Sequence, residues 1–213
     1  MDELDLLKKD WNREDRRFPK LSYHEIYSMI LRKSSSIVKW IFIISLLEFV
    51  FWFGVAFLLK GTSLSSKVEA LDMDHVLIPL SLISYVVLIY FFYLFYKNYR
   101  NISATDNAKT LMENILKTRR TVKYYVIFNL VALIIGTVIG AFYAINHSPE
   151  FIEKMELAAS QGETFKVYAG IILAIIVVLV IALALLLVFY WLIYGLLLKR
   201  LNRNYKELKT LET

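Results

Sequence analysis

Glu48 is the residue whose type and position most favour chemistry in this sequence. It is the one charged residue in the apolar stretch from Trp40 to Leu59. A carboxylate within an apolar helix is costly, so it is normally buried, uncharged, or functional, for example in a proton or cation relay or as a partner-binding group. A relay usually needs several polar groups, and the other long apolar stretches contain no acid or base. We expect Glu48 to be uncharged and to face other helices. Four side chains are available as its donors: Ser81, Ser84, Tyr85 and Asn129.

The histidines give a weaker signal, for a metal site. His75 and His147 each lie near acidic residues, so a site shared by their two loops is conceivable. The sequence has no Cys and no helical His pair, and none of the GxSxG, Walker, GxGxxG or HExxH motifs is present. We therefore predict no metal, no cofactor and no catalytic residue.

Four apolar segments must position these side chains, and they lie at about 37–59, 76–96, 124–145 and 167–198. About twenty apolar residues in a helix cover roughly 30 Å, the thickness of the hydrocarbon core of a bilayer. The chain is 58% hydrophobic, which is above the roughly 45–50% of soluble proteins. These features predict an all-α integral membrane protein, a bundle of four transmembrane helices with helical cytosolic extensions.

The basic residues are distributed unevenly between the two sides of these segments. Residues 1–39, 97–123 and 199–213 together carry 21 Lys and Arg, whereas 60–75 and 146–166 carry 4. An excess of Lys and Arg marks cytoplasmic segments. We predict a multi-pass protein of the inner (cytoplasmic) membrane with both termini cytoplasmic. This orientation also accounts for the net charge of +6 without nucleic acid, for which no motif is present. The predicted domains are a cytoplasmic arm, 1–36, a membrane domain, 37–198, and a cytoplasmic helical tail, 199–213.

The N-terminal arm carries a narrow apolar stripe formed by Leu4, Leu7 and Trp11. Helices with such a stripe commonly dock into a groove of a partner protein. Six acidic residues balance six basic ones up to Lys20, which argues against binding of the arm to an anionic lipid surface. We predict a protein partner for the stripe, with a solvated, frayed helix as the alternative.

A helix start lies within the arm at Ser22, which can cap, with Glu25 completing a capping box. Nothing between Leu31 and Trp40 obliges a break, although three serines there are weak helix formers. The first span is therefore expected to continue a helix that begins outside the membrane.

The third span carries a ridge of small residues, each four positions apart: Ala132, Gly136, Gly140 and Ala144. Such a ridge lets another helix approach closely. We expect packing within the chain, against Gly170 and Ala174, rather than the seam of a homo-oligomer, which is the alternative.

The order of features suggests an internal repeat. Val38-Lys39-Trp40 enters the first span as Val122-Lys123-Tyr124 enters the third. Asn98-Tyr99-Arg100 follows the second span as Asn204-Tyr205-Lys206 follows the fourth. Two parallel halves related about the membrane normal would produce this order.

The opening of the chain resembles a known family. The segments DELDLLKKDW, LSYHEIYSMI and KSSSIVKWIFIISLLEFVFW resemble small four-span inner-membrane proteins of Bacteroidota, most strongly over residues 2–52. The resemblance implies an inner-membrane location. It also implies an anti-sigma-like regulator, because many members lie beside genes for extracytoplasmic-function sigma factors.

Two functions remain open at this point. The first is a non-enzymatic anchor or regulator that binds a cytosolic or membrane protein. The alternative is a small transporter, channel or membrane enzyme that uses Glu48. Partner capture by the arm would favour the first, and ion- or substrate-dependent behaviour that is lost in Glu48→Gln would favour the second.

The topology is testable by labelling, because the chain has no native cysteine. Single cysteines at Lys67 and Lys154 should react with an impermeant maleimide added outside the cell, since both positions lie in loops poor in basic residues. A cysteine at Lys206 should react only after lysis. Labelling of either loop only from the cytosol would contradict the predicted topology.

Overall fold

The computed structural model describes residues 22–69, 71, 73–105 and 107–212. Every regular element in this part of the chain is helical, and four helices are long and apolar enough to cross a membrane. The predicted all-helical class is thus confirmed. The predicted partner-binding residues Leu4, Leu7 and Trp11 lie outside the described residues.

Seven α-helices make up the described part of the chain. The helices are α1 (Tyr23–Leu59), α2 (Ser63–Glu69), α3 (Asp74–Ser103), α4 (Ala108–His147), α5 (Pro149–Ser160), α6 (Thr164–Tyr190) and α7 (Leu196–Glu212). A π-helical turn, Trp191–Gly195, joins α6 to α7 without a break. Together α6 and α7 form the fourth long helix. Three of the predicted spans lie inside α1, α3 and α4, and the fourth, 167–198, runs from α6 through the π-helical turn into α7.

Helix α1 begins as the sequence predicts. The Ser22 hydroxyl accepts a hydrogen bond from the Glu25 amide at 3.3 Å, and the Glu25 carboxylate accepts one from the Ser22 amide at 2.7 Å. The hydrogen bonds from the Ser22 backbone and hydroxyl hold the pKa of Glu25 below its usual value. The helix then runs unbroken to Leu59, so the prediction of one continuous helix is confirmed.

Helix α3 begins earlier than the predicted span. The span starting at Val76 put Pro79 in the first turn, but the helix starts at Asp74, so Pro79 lies in the helix interior. Proline has no amide hydrogen, so the His75 carbonyl loses its usual helical partner. The His75 carbonyl lies in the first turn of α3, so the missing hydrogen bond affects only the start of the helix.

The four long helices pack as a bundle in which each has two main neighbours. Helix α1 packs against α3 and α7, and α4 packs against α3 and against α6 and α7. The short helix α5 packs against α4 and α6 at the far end. The result is an up-down-up-down arrangement with short connections, typical of simple helical bundles.

The packed core occupies only one half of this bundle. We call the end formed by residues 22–39, 97–123 and 199–212 the basic end. One cluster of buried side chains lies there and includes Ile30, Leu111 and Leu208, and a second follows it along the bundle. Beyond Glu48, in 49–90 and 126–189, only Met73 and Ala158 are buried among the residues whose side chains the structure describes. The helices are therefore held together at the basic end and leave cavities between them in the other half.

The packing also follows the predicted internal repeat. Asn98 on α3 donates to the Thr121 hydroxyl at 3.1 Å, and its equivalent, Asn204 on α7, donates to the Ser34 hydroxyl at 3.0 Å. Both amides are 2% exposed. The second helix of each repeat is thus bonded to the first helix of the other repeat. The acceptors differ in position by about one helical turn, because Ser34 corresponds to Thr118 when Val38 is matched to Val122. Equivalent apolar positions are fully or almost fully buried in both halves: Val38 and Val122, Phe95 and Leu201, and Ile102 and Leu208.

The core at the basic end should dominate the stability of the bundle. Leu111 is 0% exposed, whereas Leu82 is 61% exposed on α3. Leu111→Ala leaves a cavity and should lower the free energy of unfolding by about 2–5 kcal/mol. The matched change Leu82→Ala should cost less than about 0.5 kcal/mol. Denaturant unfolding of both variants in nanodiscs measures the difference, and equal costs would contradict this account of the core.

Candidate functional site

Glu48 lies at the boundary between the packed half and the loosely packed half of the bundle, and three tyrosines hold its carboxyl group. The side chain is 7% exposed. The Tyr190 hydroxyl donates to Oε1 at 2.6 Å, and the hydroxyls of Tyr125 and Tyr194 donate to Oε2 at 2.8 and 3.3 Å. These bonds link α1 to α4, to α6 and to the π-helical turn. We call this group the Glu48 cluster.

Aromatic packing fixes the position of Tyr125. Its ring lies edge-on to Phe91 and Phe95 of α3, with centroid distances of 5.6 and 5.5 Å. Edge-to-face contacts of this kind place the positive ring edge against the negative face of the neighbour. The hydroxyl is therefore held toward α1, with little freedom to turn away from Glu48.

The π-helical turn positions the other two tyrosines. Tyr190 is the last residue of α6, and Tyr194 lies one turn later, inside the π segment. A π-helical turn is wider than an α-helical one because its hydrogen bonds join residue i to i+5. Both phenols consequently point to the same carboxyl group, one to each oxygen. Single π turns often occur at functional sites.

The hydrogen bonds satisfy the carboxyl group without a cation. Among the described residues, no Lys, Arg or His forms an ion pair with Glu48. An ionised carboxylate accepts all three phenol bonds without rearrangement. An uncharged carboxyl group has its own O–H to donate, and a phenol oxygen is placed to accept it. The cluster can therefore hold or release a proton, and it can exchange one phenol bond for a bond to another donor.

Two cavities meet at Glu48. A cavity of about 710 Å³ lies between α1, α4 and α6 on one side, with almost entirely apolar walls that include Phe51, Leu133 and Phe189. A smaller one of about 140 Å³ lies between α1, α3 and α4 on the other side, and Tyr85 and Asn129 line it. The larger volume is in the range of small-molecule sites, which are mostly apolar with a few placed polar groups.

The donors predicted for Glu48 were wrong. The Ser81 and Ser84 hydroxyls donate to carbonyls of their own helix, at Ile78 and Leu80. The Asn129 amide donates to the Tyr125 carbonyl at 2.9 Å, and Tyr85 lines the small cavity without donating to Glu48.

Sequence reasoning missed the three tyrosines because nothing in the pattern of the third and fourth spans relates them to Glu48. The spacing of Tyr190 and Tyr194, four positions apart and hence on one helix face, was the available signal. This spacing indicates that the two side chains point the same way from the helix, but it does not identify Glu48 as the group they bind.

The small-residue ridge is not packed as predicted. Ala132, Gly136, Gly140 and Ala144 are all partly exposed on α4. A methyl group added at Gly136, Gly140 or Gly170 would have no neighbour within 4 Å. The prediction that this ridge meets Gly170 and Ala174 closely was therefore wrong, because the helices separate in this half of the bundle. A seam between copies stays a prediction.

The fold brings two of the histidines to one tyrosine. The Tyr143 hydroxyl is hydrogen-bonded to Nε2 of His75, and the His147 ring stacks on the Tyr143 ring at a centroid distance of 4.5 Å. Within the described residues, no three side chains of His, Cys, Asp or Glu form a group that could hold a metal ion.

Comparison with known proteins identifies the family of the bundle. A family model described as a domain of unknown function, DUF8845, matches residues 24–213. The chain belongs to the DUF8845 family. Its match covers all four long helices and the whole Glu48 cluster. Searches of curated proteins and of solved structures found no match.

The Glu48 cluster predicts a graded series of variants. Glu48→Gln keeps an acceptor oxygen and should cost about 1 kcal/mol or less in the free energy of unfolding. Glu48→Leu leaves three buried phenols without an acceptor, at about 1–3 kcal/mol for each. Glu48→Lys adds a charge that faces donors only and should reduce accumulation in the membrane.

A matched rescue separates hydrogen bonding from packing. Glu48→Leu combined with Tyr125→Phe and Tyr190→Phe should recover most of the stability lost in Glu48→Leu, because it removes both partners of the two shorter bonds and leaves only the Tyr194 hydroxyl without its acceptor. Thermal unfolding in nanodiscs provides the measurement. Loss of the fold in Glu48→Gln would show instead that the native carboxyl is ionised and that its charge is essential.

Proposed function

We propose that this chain is a non-enzymatic anchor of the inner membrane that presents its basic end to a cytosolic protein partner. In this proposal both termini are cytoplasmic and α1, α3, α4 and α6 cross the bilayer. Four helices of suitable length and apolarity support the multi-pass arrangement. The excess of Lys and Arg at the basic end supports the orientation.

The lengths of the helices support a substantial cytosolic part. Helices α1 and α4 contain 37 and 40 residues, which corresponds to about 55–60 Å at helical rise. The hydrocarbon core accounts for only about 30 Å of this length. The remaining turns of both helices extend from the basic end, where charged side chains occupy their outer faces.

The observation that carries the proposal is the packed core of this extension. Tyr27, Ile30, Ile102, Leu111 and Leu208 are all buried in one cluster at the basic end, and the Tyr27 hydroxyl donates to the Thr105 carbonyl at 3.0 Å. Lipid does not cover this region in the proposed topology, so its apolar side chains are buried by one another. A protein that only anchors to the bilayer does not need a packed core outside it. A protein that presents a rigid surface to a cytosolic partner does need one.

The nature of the partner is proposed from the arm and from the family resemblance. The arm joins directly to the first turn of α1 at Ser22, so a protein bound to Leu4, Leu7 and Trp11 would be held beside the basic end. An extracytoplasmic-function sigma factor is the partner that the resemblance favours. The chain would then retain that factor at the membrane.

The arm can be tested in the full-length protein. Leu7→Ala with Trp11→Ala should release a specifically crosslinked cytosolic protein and leave the membrane level of the chain unchanged, because in this proposal the stripe contacts the partner and the four spans are unaltered. A photocrosslinker at Leu4, followed by mass spectrometry, measures the capture. The matched control, Leu58→Ala with Trp40→Ala, alters exposed residues of α1 and should retain the partner. Equal capture by both variants, or binding of the isolated arm to anionic vesicles alone, would contradict this proposal.

A transporter, channel or membrane enzyme that uses Glu48 is the second candidate. The cavity of about 710 Å³ that reaches this carboxyl group favours it. In that case Glu48→Gln should abolish a ligand-dependent thermal shift while the fold stays intact. Tyr85→Phe, which alters the smaller cavity and does not line the cavity of about 710 Å³, is the control and should leave the shift unchanged. A shift that Glu48→Gln retains would exclude a direct role of the carboxyl group.

A further inference from the structure

A groove on the side of the bundle lies where the basic end meets the apolar helices. It has a volume of about 660 Å³ and runs between α4 and the continuous segment of α6, the π-helical turn and α7. Fourteen residues line it, of which three are basic and none is acidic. We call it the α4–α6 groove.

The walls of this groove change from basic to apolar along one direction. On α4, Arg119 and Lys123 are followed by Ile127 and Leu130. Leu116 lies on the other side of the cations, so the charged side chains lie near one end of the groove and most of the apolar ones along the rest. Residues about four apart share one helix face. On the opposite wall, Leu187 and Leu198 provide apolar surface. A ligand that fits is therefore anionic at one end and has a hydrocarbon body.

The cations at the basic end of the groove are available to such a ligand. The Arg119 guanidinium donates to the Asn202 side chain at 2.9 Å, which fixes its position. Arg120 and Lys123 are exposed, and in the part of the chain that the structure describes neither forms a hydrogen bond or ion pair through its side chain. One held guanidinium with two further cations suits a phosphate, because guanidinium groups match phosphate geometry.

The π-helical turn places an aromatic side chain in the groove wall opposite α4. The Trp191 side chain is 68% exposed, and its ring lies 3.4 Å from the place that a Cβ on Gly195 would occupy. The indole thus lies along the helix surface and forms part of the groove wall. Tryptophan is enriched at the level of lipid headgroups. The groove therefore combines basic, aromatic and apolar side chains, the three kinds that suit the headgroup, the interface and the acyl chains of a phospholipid.

We propose that the α4–α6 groove binds an anionic phospholipid of the cytoplasmic leaflet. The phosphate contacts Arg120 and Lys123, with Arg119 behind them, and an acyl chain lies along Ile127 and Leu187. Basic pockets between transmembrane helices on the cytoplasmic side bind such headgroups. The inference rests on the topology under Proposed function. Tyr190 and Tyr194 line the groove and also donate to Glu48, so the bound lipid would contact the cluster.

Quenching of Trp191 fluorescence tests this proposal in the full-length protein. The chain is placed in nanodiscs of phosphatidylcholine that contain phosphatidylglycerol or a second phosphatidylcholine with brominated acyl chains. The signal of Trp191 is the difference between each protein and its Trp191→Phe counterpart. We expect brominated phosphatidylglycerol to quench Trp191 several-fold more than brominated phosphatidylcholine at the same mole fraction.

Two charge-matched variants decide whether the site is specific. Arg120→Gln with Lys123→Gln should lower the preference for the anionic lipid about tenfold or abolish it. Lys199→Gln with Arg200→Gln removes the same charges from exposed positions outside the groove and should leave the preference within about twofold. Arg119 stays in both variants, so its bond to Asn202 is retained.

The outcomes distinguish this inference from the proposed topology. Equal quenching by both lipids in the native protein would overturn the specific site while showing that Trp191 lies in the bilayer. Equal losses in the two charge variants would also overturn it, since general surface charge would then explain the preference. No quenching by either lipid would overturn both the site and the proposed topology.

Discussion

Hydrogen bonding between Glu48 and the three tyrosines links the two differently packed halves of the bundle. Toward the basic end, side chains from all four long helices are buried against one another. Beyond Glu48, the described parts of α1, α4 and α6 bury no residue within the chain. The cluster is the last point at which α1, α4 and α6 are held together by buried polar contacts. Changes at Glu48 would thus affect how the helices separate as well as the local chemistry.

This arrangement gives each half a distinct physical basis. At the basic end, burial of apolar side chains drives the packing, and the Asn98 and Asn204 amides add directional bonds that fix the register of the helices. In the other half, the apolar surfaces face outward, and lipid is the solvent that makes this favourable in the proposed topology. The cavities beside Glu48 and the α4–α6 groove lie on the flanks of the packed core.

Much of the fold could be predicted from the sequence because the signals are local. The Ser22 cap, the four apolar segments and the absence of a helix breaker before Trp40 each depend on neighbouring residues. The partners of Glu48 could not be predicted, since Tyr125 and Tyr194 lie 77 and 146 positions away and their direction depends on helix rotation and on a π-helical turn. The Gly136 ridge was misjudged because its spacing indicates a smooth helix face but not which surface covers that face.

The internal repeat has a consequence for the origin of the Glu48 cluster. When the two halves are matched at Val38 and Val122, the position equivalent to Glu48 is Ala132, and Tyr125 corresponds to Ile41. Matching Asn98 to Asn204 pairs Tyr194 with Leu88 and Tyr190 with Ser84. The positions that the repeat relates to the Glu48 cluster thus carry no charge and no phenol. The Glu48 cluster therefore has no counterpart under the predicted repeat, and it distinguishes one side of the bundle from the other.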